Sequence, residues 1–408
     1  MTLPSYPFTG APGSDECPQG LGLLDSAPVA RATTGRGEEE TEVWLALSHR
    51  AVRQVLGDVR FSRAAAVEPG APPVLRSAYL PGALTSLDPP RHTGFRHLFA
   101  RAFSPRMVSR LEPWIQRTAD RLLDSLRVPG DLIRPYAESL PIMVICELLG
   151  VPLKDREQIR QWTYPLLSTT AYTPEEITAA VREVSAYVRE LIEERRRHPD
   201  DKLISALVAA NDREQVLSPE ELVINVQGVL IAGHETTVNQ IGNSVLTLFS
   251  HPAQLALVQE QPELWPSAVE ELLRHSRLAD GILPRVALED VDLDGVMVRA
   301  GEAVIPIIAV ANRDPDAFPD PHRFDVLRKH TAQHMGLGHG PHFCLGSQLA
   351  RVELRVALSS LFARYPGLEP AARFEALRWK EGLVVRGLIE LPVRLKGGVD
   401  TAGPVSAA

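Results

Sequence analysis

The thirteen residues HMGLGHGPHFCLG, His334 to Gly346, hold four glycines, three histidines and one cysteine. Such a tract suits a small metal site, a flexible loop or a cradle for something larger. As a metal site it would use His334, His339, His342 and Cys344, but it lacks the paired CxxC or HxxxH spacing that sets two ligands on one ion. The glycines favour backbone approach instead, since Gly has no side chain to interfere. Downstream, CLGSQLARVELRVALSSLFARY carries Leu345, Leu349, Val352 and Val356 at helical spacing. Cys344 is therefore expected at a helix N-terminus, where unpaired N–H groups and the helix dipole lower a thiol's pKa. A glycine-rich loop running into such a thiolate fits a flat ligand such as haem.

The rest of the chain sets bounds on this reading. Its 408 residues allow one large domain or two to three smaller ones, and 44% hydrophobic with 23% charged residues describes a soluble globular protein. A net charge of -8, with both signs interspersed, leaves no basic stripe for nucleic acid. No apolar run is long enough for a bilayer, and MTLPSYPFTGAPGSDE lacks the features of a signal peptide, so a cytoplasmic protein off the membrane is expected. Three cysteines, an odd count, argue against a disulfide framework. Cys146, inside PIMVICELLG, reads as a small hydrophobe. Cys17 reads as inert.

Residues 1–40, rich in Pro, Gly and acidic residues, read as an irregular N-terminal leader, 41–398 as one domain, and 399–408 as a flexible tail. TEVWLAL predicts a strand, followed by a helix capped by Ser48. The turn-rich segment 64–83 has the length of a binding loop. Helix starts are signalled at Asp88-Pro89-Pro90 and Ser104-Pro105, and by capping boxes after Thr173 and Ser218. From Pro219 no breaker appears before His251-Pro252, which predicts a continuous buried helix of about 48 Å. Strand-like segments are few: LPRVALEDVDLDGVMV, EAVIPIIAV and GLVVRGLIELPVRL. The expected fold is mainly α, a single large domain with small β-sheets.

GLGHGPHFCLG resembles the haem-binding loop of the cytochrome P-450 monooxygenases. AGHETT, Ala232 to Thr237, is similar to that family's oxygen-binding motif, although a Thr-Thr pair in a helix by itself reads as packing. EELLR, with Glu271 and Arg274 three apart, resembles the pair that binds an arginine of a later PxRF segment, here Arg323; alone it is a common surface pattern contributing about 0.2–0.5 kcal/mol. The resemblance runs from about Phe61 to Leu395, includes ANRDP at Ala311 to Pro315, keeps the family order, and is nearest to soluble bacterial members. One departure is Leu337, where the family usually has Phe, which bears on shielding of the sulfur.

The resemblance implies haem b lying between the long central helix and the cysteine loop, with Cys344 as the iron ligand. It also implies small residues Ala232, Gly233 and Gly346 beside the haem, and His92, Arg96, Arg285 and His342 on its propionates. Thr236 is then the hydroxyl that hydrogen-bonds the oxygen being activated, Glu235 a proton relay, and Glu271, Arg274 and Arg323 a structural network. Ala232, Gly233, Thr236 and Thr237 would share one helix face, and a threonine bonding back one turn can bend the helix into a pocket. A largely apolar substrate pocket is expected from 64–83, the region of Tyr164 to Thr173, Val229, Ala232, the turn holding Ile282, Val384 and Val385. The implied activity uses O2 and electrons from NAD(P)H, through an external ferredoxin or flavodoxin and its reductase. It inserts one oxygen atom by hydroxylation or epoxidation into a hydrophobic small molecule such as a polyketide or macrolide. Arg101, Arg106, Arg351 and Arg355 are candidates for the docking surface, and a monomer is expected. Alternatives are oxidative coupling or cyclisation, a carrier-protein-bound substrate, and a non-catalytic recruitment module.

Overall fold

Strong start signals followed by apolar residues at helical spacing produce most of the elements in the computed structural model. It describes residues 3–8, 16–35, 40–68, 71, 81–100, 103–279, 281, 283–329 and 333–396. The α-helices are α1 (Pro18–Leu24), α2 (His49–Gly57), α3 (Arg91–Ala100), α4 (Pro105–Ser125), α5 (Ser139–Leu149), α6 (Arg156–Leu166) and α7 (Pro174–Arg197). They continue as α8 (Leu203–Glu214), α9 (Pro219–Ala232), α10 (Glu235–Ser250), α11 (Pro252–Glu260), α12 (Trp265–His275), α13 (Ile308–Ala311) and α14 (Ser347–Arg364). The strands are β1 (Ser5–Tyr6), β2 (Val29–Thr34), β3 (Thr41–Ala46), β4 (Phe61–Ser62), β5 (Gly130–Asp131) and β6 (Arg285–Ala287), then β7 (Val291–Leu293), β8 (Val296–Val298), β9 (Ala303–Pro306), β10 (Leu368–Pro370) and β11 (Pro392–Leu395).

Both expected capping boxes form. Thr173 Oγ1 accepts from Glu176 N at 3.3 Å while Glu176 accepts from Thr173 N at 2.8 Å, and Ser218 and Glu221 do the same at 3.2 and 2.9 Å. Ser48 caps α2 by accepting from Ala51 N at 3.0 Å. The helices pack around one large apolar cluster drawn mainly from α4 to α12 and α14, and two smaller clusters lie against the sheet. The main sheet has the order β1-β2-β3-β9-β6-β4; β10-β11-β5 and β7-β8 form small separate sheets.

Two expectations give way. The described part of the expected irregular leader carries regular structure: β2 pairs antiparallel with β3 from Val29↔Ala46 to Thr34↔Thr41, β1 joins parallel, and Cys17 is buried. The six residues VARATT bury only Val29, Ala32 and Thr34, too short a pattern to register as a strand without its partner. The central helix is also broken. α9 ends at Ala232 and α10 begins at Glu235, because Gly233 and His234 leave the regular ladder. Of the segment 64–83, residues 69–70 and 72–80 lie outside the described residues, as do the tail 399–408, Arg101 and Ile282. Among the described residues no helix is long and apolar enough to cross a membrane.

Candidate functional site

Helix α9 and the start of α10 are buried on most faces, yet Gly228, Val229, Ala232, Gly233 and Thr236 keep accessible surface. These positions fall on one side of a helix. At the end of this accessible stripe Thr236 Oγ1 donates to Ala232 O at 2.7 Å, the back-bond expected of a bent oxygen-side helix. A Cβ on Gly233 would meet Ile145 Cδ1 of α5 at 2.6 Å, so its small size also serves packing between helices. Thr237 is buried and off the accessible stripe. Val384 is half-buried and its N–H donates to Leu167 O at 2.9 Å, while Val385 is buried.

The cysteine loop packs against α2 and α12. Its glycines have two kinds of surroundings. A Cβ on Gly336 would strike the Leu273 carbonyl of α12, and one on Gly340 would lie 2.5 Å from Leu56 O of α2. Those two let backbones touch, rather than making room for a ligand. On Gly338, at φ +76°, and Gly346 such a Cβ would make only ordinary van der Waals contact, at 3.6 Å with His342 O and 3.8 Å with Phe103. Cys344 N donates to Leu337 O at 2.8 Å, closing the loop on itself. Leu337 packs, partly buried, against the main core.

Cys344 carries no disulfide and keeps accessible surface, yet protein surrounds it so closely that burial pushes its thiol above the ordinary value. The bond from Gly346 and the charges of Arg96 and Arg351 pull the other way without prevailing. In the protein alone burial outweighs the helix terminus, since α14 begins only at Ser347. Such a thiol suits a cationic metal, whose charge deprotonates a coordinating sulfur outright.

Beside it, His92 and His342 lie with ring centroids 4.2 Å apart. Burial, then Arg96, with Arg285 adding to it against a pull from Asp88, lowers His92 to about 4. Burial, with Arg285, His92, Arg63 and Arg96, lowers His342 to about 2. His92 Nε2 is buried without a hydrogen-bond partner. Arg96 also donates to Phe343 O at 2.6 Å, tying α3 to the loop. A cluster of cationic groups dominating one spot, with an orphaned imidazole nitrogen among them, fits a ligand carrying carboxylates. The donors present therefore match a haem with its propionates.

Glu235 is fully buried; its Oε1 accepts from Lys380 Nζ at 2.6 Å and from Asn239 Nδ2 at 3.0 Å, while Oε2 has no partner. Burial raises its pKa, and Lys380 and Asn239 oppose that. His234, also fully buried, has neither ring nitrogen bonded and falls to about 3 through burial, with Lys380 and Arg160 adding to it. Lys380 escaped the sequence reading, since a lone lysine in RWKEG signals nothing; Asn239, one turn after Glu235, was there to be noticed.

The structural network has a different third arm from the one expected. Arg274 binds both oxygens of Glu271 at 2.8 Å, with both side chains fully buried, and donates to Asn312 O, Pro321 O and Arg323 O. Arg323 contributes only that carbonyl: its side chain is 65% exposed and lies 3.6 Å from Asp325. The arginine that reaches Glu271 is Arg328, at 3.1 Å and 8% exposed. The turn after Phe324 carries it back to Glu271, which no sequence spacing announces. ANRDP stitches the same region: Asn312 Oδ1 accepts from Met335 N of the cysteine loop at 2.8 Å, and Asp314 accepts from His49 N at 2.7 Å.

The three histidines of the opening tract diverge. His334 binds Glu270 at 3.1 Å, His339 lies beside Gly57, and His342 faces His92. Among the described residues no group of three or more His, Cys, Asp or Glu could hold a metal ion. Two candidate docking residues are engaged within the chain, Arg351 with Glu270 at 2.6 Å and Arg355 with Glu112 at 2.6 Å; Arg106 is exposed.

Comparison with known proteins places this arrangement. The Cytochrome P-450 family model matches residues 162–265 and 261–372. The chain is 42% identical over 393 residues to mycinamicin IV hydroxylase/epoxidase of Micromonospora griseorubida, covering 95% of this chain and 98% of that protein. It is 43% identical over 394 residues to nocardicin C N-oxygenase of Nocardia uniformis subsp. tsuyamanensis, covering 95% and 98%. A solved structure of a putative thioether synthase, involved in the tailoring step of griseoviridin, superposes with a TM-score of 0.91 at 38% identity, covering 97% of this chain and 100% of that one. The chain belongs to the cytochrome P-450 family and is a haem-iron monooxygenase that uses O2.

Proposed function

We propose that this enzyme tailors a sizeable, largely hydrophobic secondary metabolite of the polyketide or macrolide kind, by hydroxylation or epoxidation. The accessible stripe of Gly228, Val229, Ala232 and Thr236 carries the reading, because it offers an apolar wall ending in one hydroxyl. Similarity to a hydroxylase/epoxidase named for mycinamicin IV supports the substrate class. Haem b, held by Cys344 with His92, Arg96, Arg285 and His342 at its carboxylates, supplies activation of dioxygen by two electrons when bound. Those electrons come from NAD(P)H through a separate ferredoxin or flavodoxin and its reductase.

The chain's own residues do the rest. Ala232 and Val229 present apolar surface that orients the substrate and excludes water. Thr236 places a hydroxyl where oxygen is activated, and Glu235 delivers the protons. O2, two electrons and two protons then balance as one inserted oxygen atom and one water. The Glu235–Thr236 pair favours activation of dioxygen over use of peroxide; likeness to a putative thioether synthase keeps coupling as the second reading.

The reduced, carbon-monoxide-treated protein should show the red-shifted thiolate band, and Cys344→Ser should abolish it while leaving the fold intact. Absence of the band in the unaltered protein would overturn the haem-thiolate reading. A macrolide that shifts the haem from low to high spin, and is returned with one added oxygen, fits the substrate class. A coupled product from the same incubation selects the second reading.

A further inference from the structure

Charged groups sealed inside a protein need partners, and a buried ion pair is stable only when its remaining lone pairs are also satisfied. Glu271 obeys this rule: Arg274 binds both of its oxygens, and Arg328 and Asp325 N add to Oε1. Glu235, equally buried, does not. Its Oε1 is held twice, by Lys380 and Asn239, and its Oε2 is left bare. Lys380 Nζ also donates to Asn239 Oδ1 at 3.1 Å, so lysine, glutamate and asparagine close a triangle.

Lys380 is no loose surface lysine. Its side chain is 10% exposed and its ammonium lies 5.1 Å from the centre of the Tyr164 ring on α6. Its N–H donates to Gly387 O at 2.8 Å, and Gly387 packs so tightly on Asn239 that any side chain there would collide with it. Two residues on, Gly382 O accepts from Thr169 N at 2.7 Å and Thr170 N at 3.1 Å. The fold thus delivers this lysine to one oxygen of one carboxylate.

We propose that Lys380 is a positioning residue of the proton path: it pins Glu235 by Oε1 and so presents Oε2 for proton exchange beside Thr236. The inference rests on the reading of Glu235 as proton carrier. Each proton leaving Oε2 toward the Thr236 hydroxyl is replaced from water, so charge does not accumulate. Lys380 faces Glu235 from the C-terminal segment, Glu138 with its partner Arg160 from the α5 and α6 side, Tyr164 from α6, and His234 precedes it in the chain. Of these, Lys380 is the cation that opposes burial of the carboxylate.

The test is an infrared titration of the Glu235 carboxyl in the haem-loaded protein, assigned by its loss in Glu235→Gln. Lys380→Met should move the midpoint up by about 1–3 pH units, and Lys380→Arg should return it close to the unaltered value. In turnover, Lys380→Met should lower product formed per electron pair. A midpoint unmoved in Lys380→Met, or moved equally in Lys380→Arg, overturns the proposal. Where Lys380→Met does not fold, Lys380→Gln is read by the same criteria. Glu235→Gln judges the proton-carrier reading separately: fully coupled turnover in that variant sinks it, whatever the titration of the lysine variants gives.

Discussion

A threonine hydroxyl inside a helix has the carbonyl one turn back within reach, and Thr236 uses it, donating to Ala232 O at 2.7 Å. The bond occupies the hydroxyl proton and leaves both oxygen lone pairs free to accept, so the hydroxyl donates to another group only by turning. Thr236→Ala should keep the thiolate band but divert reducing equivalents to peroxide, read as peroxide released per NAD(P)H consumed; full coupling in this variant would contradict the role. A second residue-scale expectation separates two arginines of one turn. Arg328→Ala removes one of the two arginines on the buried Glu271, which keeps Arg274, and should cost about 1–3 kcal/mol in denaturant unfolding. Arg323→Ala removes an exposed ion pair and should cost about 1 kcal/mol or less. Equal losses would return Arg323 to the network.

Elements are clamped to one another by few polar contacts, and the clamp between α12 and α14 is the clearest. Glu270 of α12 takes Arg351 Nε of α14 at 2.6 Å and His334 Nε2 of the cysteine loop at 3.1 Å. Burial pushes this carboxyl up, but the bonds from His334 and Arg351 more than offset it and hold it at about 2, against 4.5 ordinarily. A carboxyl lowered in the folded state binds its proton more readily when unfolded, so its stabilisation is full above the ordinary value and is lost as pH falls from about 4.5 to about 2. The stability difference between the unaltered protein and Glu270→Gln should therefore be constant near neutral pH and shrink through that acid window. A difference that does not change with pH would show that the clamp is not ionic.

At the scale of the whole molecule, β1 and β2 make the described N-terminal segments part of the sheet, not an appendage. Removing residues 1–35 takes away β1, α1 and β2, exposes the β3 edge, and uncovers the small core built by Tyr6, Phe8, Cys17 and Ala32 with Val43 and Leu45. Each large apolar side chain so exposed costs about 1.5–3 kcal/mol, and a few of them match a typical total stability of about 5–15 kcal/mol. The shortened chain should melt far lower or aggregate, as read by thermal denaturation. A melting temperature equal to that of the full chain would mean that the leader carries no part of the fold.

Local chemistry was legible in the residues alone. Capping boxes at Thr173 and Ser218 act over three residues, and the Thr236 back-bond over four, so their geometry follows from spacing. The cysteine loop, AGHETT and EELLR were recognisable because a set of motifs in one order is far more specific than any one of them. What only the tertiary structure decided depends on segments distant in the chain. The strand character of Val29–Thr34 exists because β3 pairs with it. The break at Gly233–His234 comes with the packing of Gly233 on Ile145. Burial, which no sequence pattern carries, raises the Cys344 thiol in spite of the helix behind it. Arg328 and Lys380 reach their carboxylates across 57 and 145 residues. Over such separations the fold, and not the spacing, chooses the partner.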